Sequence, residues 1–262
     1  MANYVLENDK EAARLEKMAS LHAYQTGEEV AKITFPRGCR VLDAGCGSGR
    51  VARHIADHNP GIRVEGCDQS EVRIEQAREL RKAEGREDIR YFVSPIEKID
   101  VADNTYDRIT CRYVFEFLAD PMRALAEFKR VLKPGGQLLV IQFDGFLHNF
   151  HHKNSELMAM LKTLEQRPPV DNFRGRKIPS MMMDAGFNNV DWDVKVYGWK
   201  GKDLEGEREQ MYERLDFAAP MVGKLLEIPE GGARFRDLYV EEMMKPGSVL
   251  FYNKFLVSGT KA

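Results

Sequence analysis

Asp43, Gly45, Gly47, Gly49 and Asp68 are the residues whose types and spacing speak most directly of chemistry. In Val41-Leu42-Asp43-Ala44-Gly45-Cys46-Gly47-Ser48-Gly49 an apolar run meets a three-glycine turn. A missing Cβ permits positive φ and lets a ligand lie against the backbone. Downstream, Val51, Ala52 and Ile55 share one face, so a helix opens at the turn and aims its positive end at whatever the turn holds. Asp68 closes a second apolar run 25 residues after Asp43, near the spacing at which a carboxylate meets a ribose diol. The chemistry implied is the binding of an adenosyl ligand. A dinucleotide fingerprint would space its glycines Gly-x-Gly-x-x-Gly; here the third arrives one residue early, a poor cradle for a pyrophosphate. No Gly-Lys-Ser/Thr follows, which excludes a P-loop. Asp68 has an alternative use as a helix N-cap, for which Ser70 is better placed, and Asp43 either fixes the ligand end of the turn or merely caps it.

These residues need strands to carry them and helices to back them. Strands are predicted at Arg40 to Ala44, Arg63 to Cys67, Ile89 to Val93, Tyr106 to Arg112 and Gly136 to Phe143, with helices at Glu71 to Ala83 and Arg123 to Leu132 between them. In the latter, Leu125, Phe128 and Leu132 share a face and Lys133-Pro134-Gly135-Gly136 ends the helix. Such alternation implies an α/β fold, a parallel sheet covered by helices on both faces. A further helix over Gly175 to Asp184 and strands at Val190 to Tyr197 and Val249 to Val257 complete the pattern.

Three segments stand outside it. Residues 1–35 form an N-terminal helical cap, with Leu15, Met18, Ala19 and His22 at helical spacing. Residues 146–172, with a helix at Ser155 to Leu161 closed by Pro168-Pro169, and residues 202–245, charged and helical with glycine breaks at Gly223, Gly231 and Gly232, are expected to be lid insertions over the carboxyl ends of the strands. The whole, residues 1–262, reads as one domain.

Lys plus Arg number 39 against 41 Asp plus Glu, so no global basic field exists to attract nucleic acid. The four cysteines, Cys39, Cys46, Cys67 and Cys111, form no Cys-x-x-Cys pair and suit a reducing, cytoplasmic setting. The N-terminus lacks the basic start and apolar run of a signal peptide, and no apolar stretch reaches membrane-spanning length. A small-molecule partner is expected, with no nucleic acid and no membrane span; a homodimer is left open.

The glycine turn has company. Val64-Glu65-Gly66-Cys67-Asp68, Tyr106-Asp107-Arg108-Ile109-Thr110-Cys111 and Leu132-Lys133-Pro134-Gly135-Gly136-Gln137-Leu138-Leu139-Val140 follow it in order. With residues 41–49 they resemble the motifs of class I S-adenosylmethionine-dependent methyltransferases, in the group that includes the ubiquinone and menaquinone biosynthesis enzymes. The resemblance covers residues 35 to 145 well and the rest in outline. It implies a doubly wound, seven-stranded, mostly parallel Rossmann-like sheet with a final antiparallel strand near the C-terminus. It also implies S-adenosylmethionine as cofactor and S-adenosylhomocysteine as product. Asp43, Gly45, Cys46, Gly47, Gly49, Asp68 and Gln69 would hold that cofactor. Where the family has Asp-Ala or Glu-Ala to accept from the adenine amino group, this chain has Ser94-Pro95-Ile96-Glu97; the Ser94 hydroxyl can accept without charge, with Ile96 beside it, or can serve an ordinary turn. Arg112 and Tyr113 stand where the family lines the cofactor and the transfer cleft. Arg112 would pair a ligand carboxylate or, alternatively, Glu116 four residues on. Arg14 is a second candidate for the methionine carboxylate, and Tyr4 and Tyr24 are candidate lid contacts.

Methyl transfer from a sulfonium is an in-line displacement with an activated donor, so positioning and exclusion of water come first and a base is needed only by some acceptors. Candidate bases are Asp144 and His148, with His151 and His152 behind them. The three histidines have i, i+3, i+4 spacing, yet no carboxylate or cysteine completes a metal set, so no metal is expected. Met181-Met182-Met183, Trp192, Tyr197, Trp199 and Phe217 are candidates for an apolar acceptor pocket or simply core. The Asn/Asp-Pro-Pro-Tyr/Phe motif of nucleic-acid amino-group methylases is absent; that place reads Cys111-Arg112-Tyr113-Val114. Two other readings are carried: an NAD(P)-dependent oxidoreductase, opposed by the glycine spacing, and a non-catalytic module that binds S-adenosylmethionine.

Overall fold

The computed structural model describes residues 16–17, 24–85, 88–166, 170–200 and 202–262. Arg14, Tyr4, the Leu15–His22 pattern and Pro168-Pro169 lie outside the described residues. The chain divides into two compact units. The sheet unit comprises residues 25–143, 174–195 and 254–262; the helical unit holds residues 144–173 and 196–253, with Tyr24. Both expected insertions fall within the helical unit.

In the sheet unit the chain runs α1 (Thr26–Val30), β1 (Arg40–Ala44), α2 (Arg50–His58), β2 (Arg63–Asp68), α3 (Glu71–Ala83), β3 (Ile89–Val93), β4 (Tyr106–Arg112), α4 (Pro121–Val131) and β5 (Leu132–Asp144). After the helical α5 (Ser155–Glu165) it returns through α6 (Ile178–Asp184) and β6 (Phe187–Trp199). It then leaves for α7 (Lys202–Leu226) and α8 (Gly231–Met243) and closes with β7 (Leu250–Lys261). The seven strands are ordered β3-β2-β1-β4-β5-β7-β6. β1 pairs in parallel with β2 and with β4, β2 with β3, and β4 with β5. The chain thus starts mid-sheet, builds outward to β3 and restarts on the other side of β1. That reversal opens a crevice beyond the carboxyl ends of β1 and β4, where open α/β sheets bind ligands.

Alternation along the strands feeds two cores. Leu42, Ile109, Leu138 and Val140 face α4 and α6 through Leu125, Phe128, Ile178 and Met182. Val41, Val64, Leu139 and Ile141 face α2 and α3 through Val51, Ile55, Ile74 and Ala77. Helix starts follow local chemistry: Ser70 Oγ accepts from the Arg73 N–H at α3, and Asp120 caps α4 with Pro121 in its first turn. That proline explains why α4 starts two residues earlier than predicted. It also ends before Lys133, because Leu132 is already extended and paired with Tyr106.

Three expectations change. α7 runs unbroken through Pro220 and Gly223. Gly223 is a contact point: a Cβ there would lie 3.3 Å from the Gly232 nitrogen, and one on Gly232 would lie 1.8 Å from the Ala219 carbonyl oxygen. The break comes instead between Glu227 and Glu230, both at positive φ. The methionine run does not act as a unit, since Met182 belongs to the sheet-unit core while Met183 is 51% exposed. Residues 148–154 adopt no helix, so the histidine spacing never becomes a face.

Candidate functional site

The glycine turn leaves β1 and is laced to β2. The Gly45 and Cys46 N–H groups both donate to the Cys67 carbonyl, at 2.8 and 2.9 Å. Gly45 and Gly49 are required by packing, since a Cβ on Gly45 would lie 2.5 Å from Val114 and one on Gly49 2.4 Å from the Tyr91 hydroxyl oxygen. Gly47 differs: its φ is +51° and a Cβ there would meet nothing within 4 Å. The middle glycine therefore borders open space, which is what close approach of a ligand to the backbone requires.

Asp68, at the end of β2, is part-exposed beside that space. Its Oδ2 accepts from the Gly47 N–H and its Oδ1 from the Ser70 N–H, each at 3.0 Å. These two backbone hydrogen bonds fix the orientation of the carboxylate. Ser70 takes the helix-capping task, which frees Asp68 from it. Asp43 is buried between elements: Oδ1 accepts from the Thr110 hydroxyl at 3.2 Å and Oδ2 from the Ala52 N–H at 3.1 Å. Thr110 is its β4 partner in register. Burial pushes the Asp43 carboxyl up to about 7 against those two hydrogen bonds. Burial likewise pushes the thiols of Cys46, Cys67 and Cys111 up, so they behave as small apolar groups.

After β3, Ile96 is buried in the core while Pro95 is part-exposed. The Ser94 hydroxyl accepts from the Asp100 N–H at 3.3 Å and donates within the same loop, to the Lys98 carbonyl at 3.2 Å. This is the turn role that the sequence left open. Gln69 is exposed next to Asp68.

The end of β4 carries what sequence reasoning missed. Glu29, on α1 and fully buried, takes the Arg112 Nε at 2.5 Å, the Tyr113 hydroxyl at 2.8 Å and the Lys254 ammonium of β7. Tyr113 stands at φ +58°, stacked on Phe143 at 4.5 Å with the Arg112 guanidinium 4.2 Å over its ring. Burial alone would push the Glu29 carboxyl up; Arg112 and Lys254 outweigh it and hold the group below its usual range. Burial lowers Lys254 to about 8 despite Glu29. Arg112 therefore pairs with a carboxylate 83 residues away, not one foreseen from the sequence. A lysine in the apolar run Val249–Val257 was the available signal; Glu29 gave none.

The base candidates lie in the helical unit. Asp144 is buried. His148 Nε2 is 3.3 Å from Glu165 with its ring against Phe173, and burial lowers its pKa, which keeps the imidazole neutral. Tyr24, foreseen as a lid contact, is buried with its hydroxyl on Glu207, which also takes the Tyr252 hydroxyl. Among the described residues no group of histidine, cysteine and carboxylate side chains is arranged to hold a metal. No helix among them is long and apolar enough to cross a membrane.

A methyltransferase-domain family model matches residues 42–140, the stretch that builds this crevice. The Klebsiella pneumoniae ubiquinone/menaquinone biosynthesis C-methyltransferase UbiE is 30% identical over 181 residues, 60% of this chain and 69% of that one. An Aspergillus sclerotiorum O-methyltransferase, resE, is 27% identical over 81% of this chain and 77% of its own. Across four bacterial relatives the aligned stretch spans between 52 and 69% of their length. The fold matches Haemonchus contortus phosphoethanolamine N-methyltransferase 2, solved with S-adenosyl-L-methionine, at a TM-score of 0.63 and 18% identity over 97% of this chain and 57% of that one. Glycine turn, aimed carboxylate and sequence kinship agree: the chain belongs to the class I S-adenosylmethionine-dependent methyltransferases and resembles their ubiquinone/menaquinone branch.

Proposed function

We propose that this protein transfers the methyl group of S-adenosylmethionine to a small-molecule acceptor at oxygen, nitrogen or carbon. The observation that carries the reading is the Asp68 carboxylate, aimed by the Gly47 and Ser70 N–H groups and bordered by the open face of Gly47. The bound cofactor supplies an activated methyl on a sulfonium. Asp68 accepts from the ribose hydroxyls, and the N-terminus of α2 together with the glycine turn receives the rest of the ligand against backbone. Asp43 ties the turn to β4 and α2. Arg112 and Tyr113, held by Glu29, form the wall toward the acceptor. Holding acceptor and methyl in line can supply roughly 7–11 kcal/mol of the barrier. Asp144 or His148 takes the acceptor's proton where one must leave. The lid role expected of residues 146–172 and 202–245 belongs to the same proposal, and amide-exchange protection there on cofactor binding is its check. The relatives' names include both C- and O-methyltransferases, which supports a small acceptor and leaves the atom open.

Calorimetric titration with S-adenosylhomocysteine and with NAD(H), followed by product formation across a metabolite panel, tests the reading. Binding of S-adenosylhomocysteine with turnover supports it. Tight NAD(H) binding without S-adenosylhomocysteine binding would replace it with the oxidoreductase reading, and binding without any turnover with the non-catalytic module.

A further inference from the structure

β6 is an outer strand of the sheet, with β7 as its neighbour on one side and, among the described residues, no strand on the other. An outer strand presents a row of unpaired N–H and C=O groups, which proteins usually blunt by shortness, proline or repelling charge. β6 is 13 residues long and contains no proline. It also carries an apolar row. Val190 packs on the core under α4 and α6, and strand alternation continues its face through Trp192, Val194 and Val196, which are 49, 45 and 64% exposed. The opposite face holds Asp191, Asp193 and Lys195. Lys32 pairs with both aspartates, 2.7 Å from Asp193, and the Lys195 ammonium lies 3.7 Å from the Glu28 carboxylate. The charges on this edge are therefore of both signs, and their order decides what the edge can accept.

We infer that β6 pairs with β6 of a second copy of this chain, antiparallel about a twofold axis at Val194. The inference is independent of the methyl-transfer reading. In that register Val194 meets the partner's Val194, and Trp192 lies opposite the partner's Val196 on the apolar face. On the charged face Asp193 lies opposite the partner's Lys195, and twofold symmetry makes each of these contacts twice. Charge then alternates along a row from Lys32 through Asp193 and the partner's Lys195 to the partner's Glu28. Moving the axis to Asp193 or to Lys195 would set that residue against its own copy, like charges directly opposed, which is destabilising. Of the three registers only the one centred on Val194 opposes no like charges, and it also closes the whole apolar row against itself. The strand is thus complementary to its own copy.

Analytical ultracentrifugation across a concentration series tests it, and wild type is expected to dimerise. Asp193→Lys and Lys195→Asp each oppose like charges at two points, and each is expected to weaken the dimer by about tenfold or more. An equimolar mixture of the two variants should recover it, because in the mixed pair every charge again faces its opposite. Cysteine substitution reads the register without reversing a charge. Val194→Cys is expected to form a disulfide-linked dimer on oxidation, since directly opposed residues have Cα atoms about 4.5–5.5 Å apart. Val196→Cys, whose two copies would lie roughly 14 Å apart, is expected not to. The native cysteines are all buried and do not compete. Wild type monomeric at every concentration, as when another stretch of chain or a different protein takes the edge, would overturn the inference. A dimer indifferent to both charge variants would overturn it too, as would equal cross-linking by the two cysteine variants.

Discussion

Glu29→Gln removes one charge from a fully buried junction of Arg112, Tyr113 and Lys254. The two cations respond differently. Lys254 can escape by losing its proton, and because burial has already brought it to about 8, that exit caps its share at pH 7 near 1.4 kcal/mol, about one pKa unit. Arg112 has no such exit, and loss of a charged hydrogen-bond partner costs about 1.5–3 kcal/mol. The sum, about 3–4 kcal/mol, falls within the roughly 3–5 kcal/mol typical of a broken buried pair. It corresponds to a fall of about 6–16 °C in Tm for a chain of this size. Urea unfolding followed by the fluorescence of Trp192 and Trp199 measures it. In a Lys254→Met background the same substitution should cost about 1.4 kcal/mol less, since the lysine share is gone. The pH dependence has a definite sign. The unfolded chain keeps the Lys254 proton up to about 10.5 while the folded one releases it near 8, so stability rises with pH across that window. Relative to Lys254→Met, the gain is about 3 kcal/mol. A Glu29→Gln protein within about 1 kcal/mol of wild type, or one equally destabilised in both backgrounds, would refute the reasoning.

Asp43 behaves oppositely: its folded pKa is raised from 3.8 to about 7, so its stabilisation is complete below 3.8 and is lost as pH rises through 7. Asp43→Asn should therefore gain on wild type between pH 4 and pH 7, by up to about 4 kcal/mol in unfolding free energy; a constant difference across that range would contradict the assignment. Gly232→Ala should destabilise by about 1–3 kcal/mol or more, because its new methyl would overlap the Ala219 carbonyl oxygen; a melting temperature equal to wild type would refute the close crossing of α7 and α8.

Much of this molecule was legible in its residues. Strands β1, β3 and β4 are short segments built around apolar residues such as Val41-Leu42, Tyr91-Phe92-Val93 and Ile109, and their limits match those read from the sequence. The glycine turn was legible because positive φ and close packing leave no substitute at Gly45 or Gly49. Two things were not. The α7 helix was expected to break at Gly223, yet a glycine facing another helix's glycine serves close packing instead, and only the partner reveals it. The Glu29 cluster joins residues from α1, β4 and β7, the farthest separated by 225 positions. No local pattern encodes a pairing at that separation. Arg112 was picked out for its place after β4, but its partner had to come from the fold.

The most direct test of the central claim is a calorimetric titration of wild type, Asp68→Ala and Gly47→Val with S-adenosylhomocysteine, each variant first shown to melt cooperatively. Saturable binding by wild type, and a loss of about a hundredfold or more in both variants, is predicted: two charge-assisted hydrogen bonds at about 1.5–3 kcal/mol each are removed in one case, and the open face at Gly47 is filled in the other. Affinity unchanged in folded Asp68→Ala and Gly47→Val would contradict the account.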